Sequence, residues 1–169
     1  MTGGLVRPAV WRPDLSGMGR TVKKLYTATA TATGEGRNGR TRTDDGKLDL
    51  DLSMPEAMGG PGGDGTNPEQ LFAMGYAACF ANAMRSVARR EHREDAVKGA
   101  TVKAHVDIGA IGGGRFGLAV TLDVTVPELE REDAEELVAK AHERCPYSNA
   151  TRGNIPVDFV VEGGASVGG

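Results

Sequence analysis

The segment that most constrains this chain runs from Asn67 to about Arg90, NPEQLFAMGYAACFANAMRSVARR. No proline interrupts it after Pro68, and apolar or small residues are nearly continuous from Leu71 to Met84. Asn67 suits the N-cap, Pro68 the first helical position, and Glu69 the first turn, where a carboxylate meets the positive end of the helix dipole. A helix that is apolar on most sides belongs in an interior. Ala73, Gly75, Ala77, Ala78, Ala81 and Ala83 leave room for other elements to come close. The sequence therefore predicts a long central helix with the rest of the chain built around it.

The flanking segments read as strands. LYTATATATG, just after Lys23, alternates and is rich in threonine, which suits a strand. GEGRNGRTRTDDG is rich in turn residues and carries a hairpin signal at Asn38-Gly39. KLDLDLS alternates strictly, with Leu48, Leu50 and Leu52 on one face. GGPGGDG, residues 59–65, reads as a mobile loop. Residues 98–126 hold two long strands joined at Gly112-Gly113-Gly114, and no helix follows that turn, so it is not a phosphate loop. A second amphipathic helix is expected from Glu130 to about Arg144, with Leu137, Val138 and Ala141 inward. Pro146 stops it just past Cys145, and IPVDFVVE is a last strand. The order of strands, helix, strands, helix, strand is an α+β arrangement. With 169 residues there is material for one domain, placed at 21–163. Residues 1–20 are expected as a flexible arm and 164–169 as a flexible tail.

A formal net charge of -3 argues against nucleic acid or an anionic membrane surface as a partner. No segment approaches the ~18 apolar residues of a membrane helix. The first 20 residues lack a basic region followed by an apolar one, and Pro8 and Pro13 interrupt them. A cytoplasmic, reducing setting is expected. There a structural disulfide is disfavoured, and bridges tend to be transient, catalytic or sensing. The only cysteines, Cys79 and Cys145, form neither a CxxC nor a zinc signature. Spacing alone favours two small buried core residues. His142 and Cys145 lie three apart on one helix face, but His92 and His105 are scattered, so no metal site is expected.

The segments around the cysteines change that reading. TNPEQLFAMGYAACF (66–80), CPYSNATRGNI (145–155) and GEGRNGR near Arg37 together resemble, in order, the organic hydroperoxide resistance proteins, the Ohr branch of the OsmC/Ohr family. The resemblance covers about residues 23–162. It implies an OsmC/Ohr-like fold in which antiparallel sheets wrap central helices in an intertwined homodimer. It also implies a peroxidase that prefers organic hydroperoxides and is recycled by an external dithiol on a lipoylated protein, with no bound cofactor. Cys79 matches the family's peroxidatic cysteine and Cys145 its resolving cysteine. Arg37 and Glu69 match the pair that activates the thiolate. Arg40 and Arg42 lie near enough in sequence to take the place of Arg37, and Glu69 without the resemblance reads first as a helix-start residue. The sister OsmC type and a non-enzymatic thiol sensor on the same fold are the alternatives.

Physical chemistry sets conditions on this assignment. Burial mid-helix would raise the Cys79 pKa and leave it inert, since the thiolate is the nucleophile. The helix brings no cation near it; Arg85 lies six residues on, about 240° around. A remote arginine is required, and at low dielectric it needs its own counterion. Glu69, however, is ten residues from Cys79, about 15 Å along a helix and roughly 80° off its face. The expectation is therefore a shared site, with Arg37 and Glu69 of one subunit acting on Cys79 of the other.

Overall fold

The long helix begins where its sequence requires. Asn67 Oδ1 accepts a 2.9 Å hydrogen bond from the Gln70 backbone N–H, and Pro68 stands at the first position of α1, Pro68–Arg90. The computed structural model describes residues 22–164; the arm of residues 1–20 and the expected tail, Gly164 apart, lie outside the described residues.

Two long strands, β4 (Thr101–Gly112) and β5 (Arg115–Val126), pair antiparallel across a turn in which Gly113 and Gly114 have φ of 61° and 71°. β5 leads into α2 (Arg131–Arg144), a six-residue helix α3 (Pro146–Thr151) and β6 (Val157–Gly163). β6 pairs with β5 from Val120↔Val157 to Val126↔Gly163, in parallel. Parallel neighbours need a crossover, and α2 with α3 forms it. The expected antiparallel pairing thus holds for the other strand pairs and not for β5–β6. The core lies between this sheet and the helices: Tyr76, Phe80, Met84 and Val87 of α1 pack with Val120, Leu122, Val124 and Val126 of β5 and with Leu137, Val138 and Ala141 of α2. Each such large side chain contributes about 1.5–3 kcal/mol by leaving water.

A second sheet precedes α1. β1 (Ala30–Thr33), β2 (Arg40–Thr43) and β3 (Asp49–Asp51) form an antiparallel meander. All four residues of β1 are exposed, Leu48 is exposed, and Leu52 alone of the three leucines is buried. The strand is shorter than LYTATATATG suggested, and the stretch read as turn-rich contains β2. Residues 59–65 are tied back rather than loose: Gly60 N–H donates to the Pro55 carbonyl at 3.1 Å, Gly62 N–H to that of Met54 at 3.1 Å, and Gly65 N–H to Ser53 Oγ at 3.2 Å. α1 also differs from expectation. Tyr76, Phe80, Ala83, Met84, Val87 and Ala88 are buried, but Met74 is 67% exposed and Ala78 is exposed. One face of the helix has a core behind it and the other is open in the single chain.

Candidate active site

Cys79 lies at the margin of the buried face of α1, half-buried against the core, while Cys145 is wholly buried. Cys145 ends α2 and caps α3 with φ -66° and ψ 123°. That extended geometry is what a residue before proline prefers, and it turns the side chain toward α1. Both cysteines are free, and the Cys145 thiol points at Cys79 with the sulfurs 3.6 Å apart.

Burial pushes the Cys79 thiol above its ordinary pKa; the Tyr147 backbone N–H, which donates to the sulfur, opposes this, and the neighbouring Cys145 adds to it. Pro146 has no N–H, so Tyr147 offers the first donor of α3. The influences on Cys79 in the single chain do not include Arg37.

Arg37 sits in a short 3-10 turn, Gly36–Asn38, between β1 and β2. Gly36 takes φ 63°, and Asn38 Oδ1 accepts from the Met54 N–H at 2.9 Å, which fixes the turn beside the start of α1. From there the guanidinium donates twice to Glu69, Nη1 to Oε2 and Nη2 to Oε1, each at 2.7 Å. This fork-to-fork geometry is the strong form of the pair. The Glu69 side chain is 13% exposed and that of Arg37 33%. The hydrogen bonds from Arg37 hold the Glu69 carboxyl below its usual range despite its burial. Of the arginines weighed from the sequence, Arg40 instead bonds Asp49 at the surface.

The structure therefore gathers the four expected residues into two pairs. Cys79 meets Cys145, and Arg37 meets Glu69. Ten helical residues, about 15 Å of rise, separate the pairs along α1.

Beside Glu69 lies an open cleft of about 440 Å³ lined by Pro55, Met58, Ala73, Val106 and Ile108. A second, of about 370 Å³, lies between Leu48 and Leu50 on one side and Leu71 and Met74 on the other. Phe80, in the apolar run of α1, is committed to the core.

Other neighbours of the cysteines were not legible as site residues. The Tyr147 ring lies across α1 at Gly75, where a Cβ would come 2.7 Å from its hydroxyl. Tyr76, Ser148 and Thr151 bring their hydroxyls together in the interior. A tyrosine inside an apolar run was the available signal, since a buried phenol needs a partner. Among the described residues, no three His, Cys, Asp or Glu side chains gather as a metal site. His142 turns its ring edge to Phe159, with centroids 5.0 Å apart, and burial holds it below its usual pKa. Among the described residues no helix is long and apolar enough to cross a membrane.

A free cysteine pair between a long helix and a helix break, on a sheet with one parallel crossover, defines a thiol-bearing α+β protein. The chain belongs to the OsmC-like protein family, whose pattern matches residues 60–160. It is 53% identical over 117 residues to an organic hydroperoxide resistance protein of Xanthomonas axonopodis pv. citri (strain 306), covering 69% of this chain and 81% of that one. Over 118 residues it is 49% identical to the organic hydroperoxide resistance protein OhrB of Bacillus subtilis (strain 168), covering 68% and 82%. A crystal structure of an organic hydroperoxide resistance protein from Legionella pneumophila superposes with a TM-score of 0.78 at 49% identity, over 83% of this chain and 99% of that one. An OsmC-like protein of Mycoplasma pneumoniae, 17% identical with a TM-score of 0.58 over 83% and 99%, shares the fold.

Proposed function

We propose that this chain is a cysteine-based peroxidase that reduces alkyl or lipid hydroperoxides to alcohols. The observation that carries the reading is the approach of two free cysteine sulfurs to 3.6 Å, with one half-buried on α1 and the other at a helix break. The Cys79 thiolate attacks the distal oxygen of ROOH, the O–O bond breaks, and the leaving alkoxide takes a proton to become ROH. Cys79 is left as sulfenic acid. Cys145 then displaces water from it and forms the disulfide, which an external dithiol opens by exchange. A dihydrolipoamide group on a lipoylated protein is the proposed reductant, and the cytoplasm the proposed compartment.

The active unit in this proposal is a homodimer. The exposed β1, the open face of α1 around Met74 and the apolar cleft between Leu48 and Leu71 support it. Two antiparallel copies of α1 bring Arg37 and Glu69 of one subunit toward Cys79 of the other. There the guanidinium favours the thiolate and then the charge that develops on the leaving oxygen. The clefts, lined largely by apolar side chains, suit an alkyl chain better than hydrogen peroxide.

The raised Cys79 thiol of the single chain favours one second reading, a sensor that reacts once and waits. Mixing the reduced protein with an organic hydroperoxide and dihydrolipoamide separates the two. Sustained peroxide loss is expected. A single stoichiometric turnover that dihydrolipoamide cannot renew would leave the sensor.

A further inference from the structure

α3 carries the chain away from Cys145, and its seat on α1 decides where Cys145 stands. Tyr76 precedes Cys79 by three residues on α1, and Ser148 follows Cys145 by three. The Tyr76 hydroxyl is wholly buried, 3.0 Å from Ser148 Oγ and 3.3 Å from Thr151 Oγ1. Thr151 Oγ1 also donates to the carbonyls of Tyr147 at 3.0 Å and Ser148 at 3.2 Å, within its own helix. Arg152 binds the His142 carbonyl at 2.8 Å, which fastens the end of α3 to α2 rather than to α1. The side-chain tie between α3 and α1, beside the Tyr147 N–H on the Cys79 sulfur, is therefore the hydroxyl cluster, flanked by the Tyr147 ring packed on Tyr76 and Phe72, with centroids 5.6 and 5.8 Å apart.

Apolar packing alone would fill this space without fixing the rotation of a six-residue helix. A buried hydroxyl costs stability unless it is bonded, and its bond has a direction. The Tyr76–Ser148 bond thus runs beside the Cys79···Cys145 approach as a second rung between the same two segments. We propose that Tyr76, Ser148 and Thr151 are positioning residues for disulfide closure, an inference that rests on the peroxidase reading above. In that step the Cys145 sulfur bonds to the Cys79 sulfur, the S–O bond of the sulfenic acid breaks, and the hydroxyl leaves with the Cys145 proton as water. Closure needs Cα atoms about 4.4–6.8 Å apart and aligned Cβ vectors. The rung keeps α3 in register with α1 while the sulfurs, 3.6 Å apart before reaction, close.

The experiment oxidises the reduced full-length protein with one equivalent of an organic hydroperoxide. It follows disulfide closure by rapid quench and the sulfinic form of Cys79 by mass. Tyr76→Phe and Ser148→Ala are each expected to slow closure about tenfold and to raise the sulfinic fraction at excess peroxide, because unresolved sulfenic acid is oxidised further. The double variant is expected to be no slower than the worse single one, because Tyr76→Phe already removes the bond that Ser148→Ala removes. Thr151→Ser keeps the hydroxyl and is expected to close normally. Val124→Ala, a core truncation away from α3, is the control: it should lower the melting temperature and leave closure unchanged. Closure at the wild-type rate in both Tyr76→Phe and Ser148→Ala overturns the inference, as does equal slowing by Val124→Ala. Where one of the two variants does not fold, the other decides. A wild-type protein that forms no Cys79–Cys145 disulfide overturns the peroxidase reading itself, a result distinct from either.

Discussion

The part of the molecule built on α1, β4–β6 and α2 and the part made of β1–β3 obey different rules. The first has an apolar interior, from Tyr76 and Phe80 to Leu122 and Val138, and holds Cys145 in it and Cys79 at its margin. The second is a three-stranded meander whose first strand is exposed throughout. A small sheet without a covered apolar face is marginal by itself. Its main polar attachment to α1 is the Arg37–Glu69 fork. In the proposed function the first part supplies the nucleophile and most of the core, and the second supplies the cation and needs something to rest on. The proposed chemistry is thus shared between a part with a core and a part without one.

The most severe test of this division removes the sulfur itself. Cys79→Ser should abolish hydroperoxide turnover altogether, whereas Cys145→Ser should consume about one equivalent and then stall or overoxidise, as followed by peroxide loss and mass. Arg37→Ala comes next. Removing a preorganised cation from a charge-developing centre costs on the order of 10²-fold or more in rate, and the Cys79 pKa, read by alkylation rate against pH, should rise. Arg40→Ala, whose partner Asp49 is at the surface, should change the rate less than about twofold. Met74→Glu then addresses the open face of α1. It should leave the helical circular dichroism intact and shift the protein to a single-chain species in sedimentation. Peroxidase activity should fall, and oxidant-driven Cys79–Cys145 closure, although it lies within one chain, should slow with it. An active monomer would break the comparison. Gly75→Ala should displace the Tyr147 ring and lower the melting temperature by a few degrees.

The smallest effect concerns pH. Glu69 is held below its usual pKa, first by the hydrogen bonds from Arg37, so its stabilising contribution is present above the ordinary carboxylate pKa and is lost as pH falls through the depressed one. The melting temperature of the wild type should exceed that of Glu69→Gln at neutral pH. The gap should close on acidification through and below the ordinary glutamate pKa of about 4.3. A gap independent of pH would mean that the ion pair contributes nothing to anchoring the meander.

Local chemistry made much of this legible. Asn67, Pro68 and Glu69 announced α1 because capping depends on neighbours only, and the two long strands expected in residues 98–126 stand as β4 and β5, joined by a local turn. β2 was concealed in Arg40–Thr43, where charged residues on an exposed strand imitate a turn. The parallel pairing of β6 depends on a crossover, which no local pattern encodes. The resemblance pointed to the two pairs of site residues, and helix arithmetic placed them about 15 Å apart. The Tyr147 N–H and the Tyr76–Ser148 contact were hidden because each joins segments about 70 residues apart in sequence.

The bare meander also bears on the order in which a subunit matures. Residues 30–51 leave the ribosome before the cysteines do, yet the sheet they form has no packed face until the later chain, and in the proposed dimer a second copy, is present. A newly made, unassembled subunit then holds the Cys79 thiol in a setting where burial raises its pKa. On the proposed dimer, reactivity arrives with assembly, and a nascent chain is sheltered from the oxidants that the mature one meets.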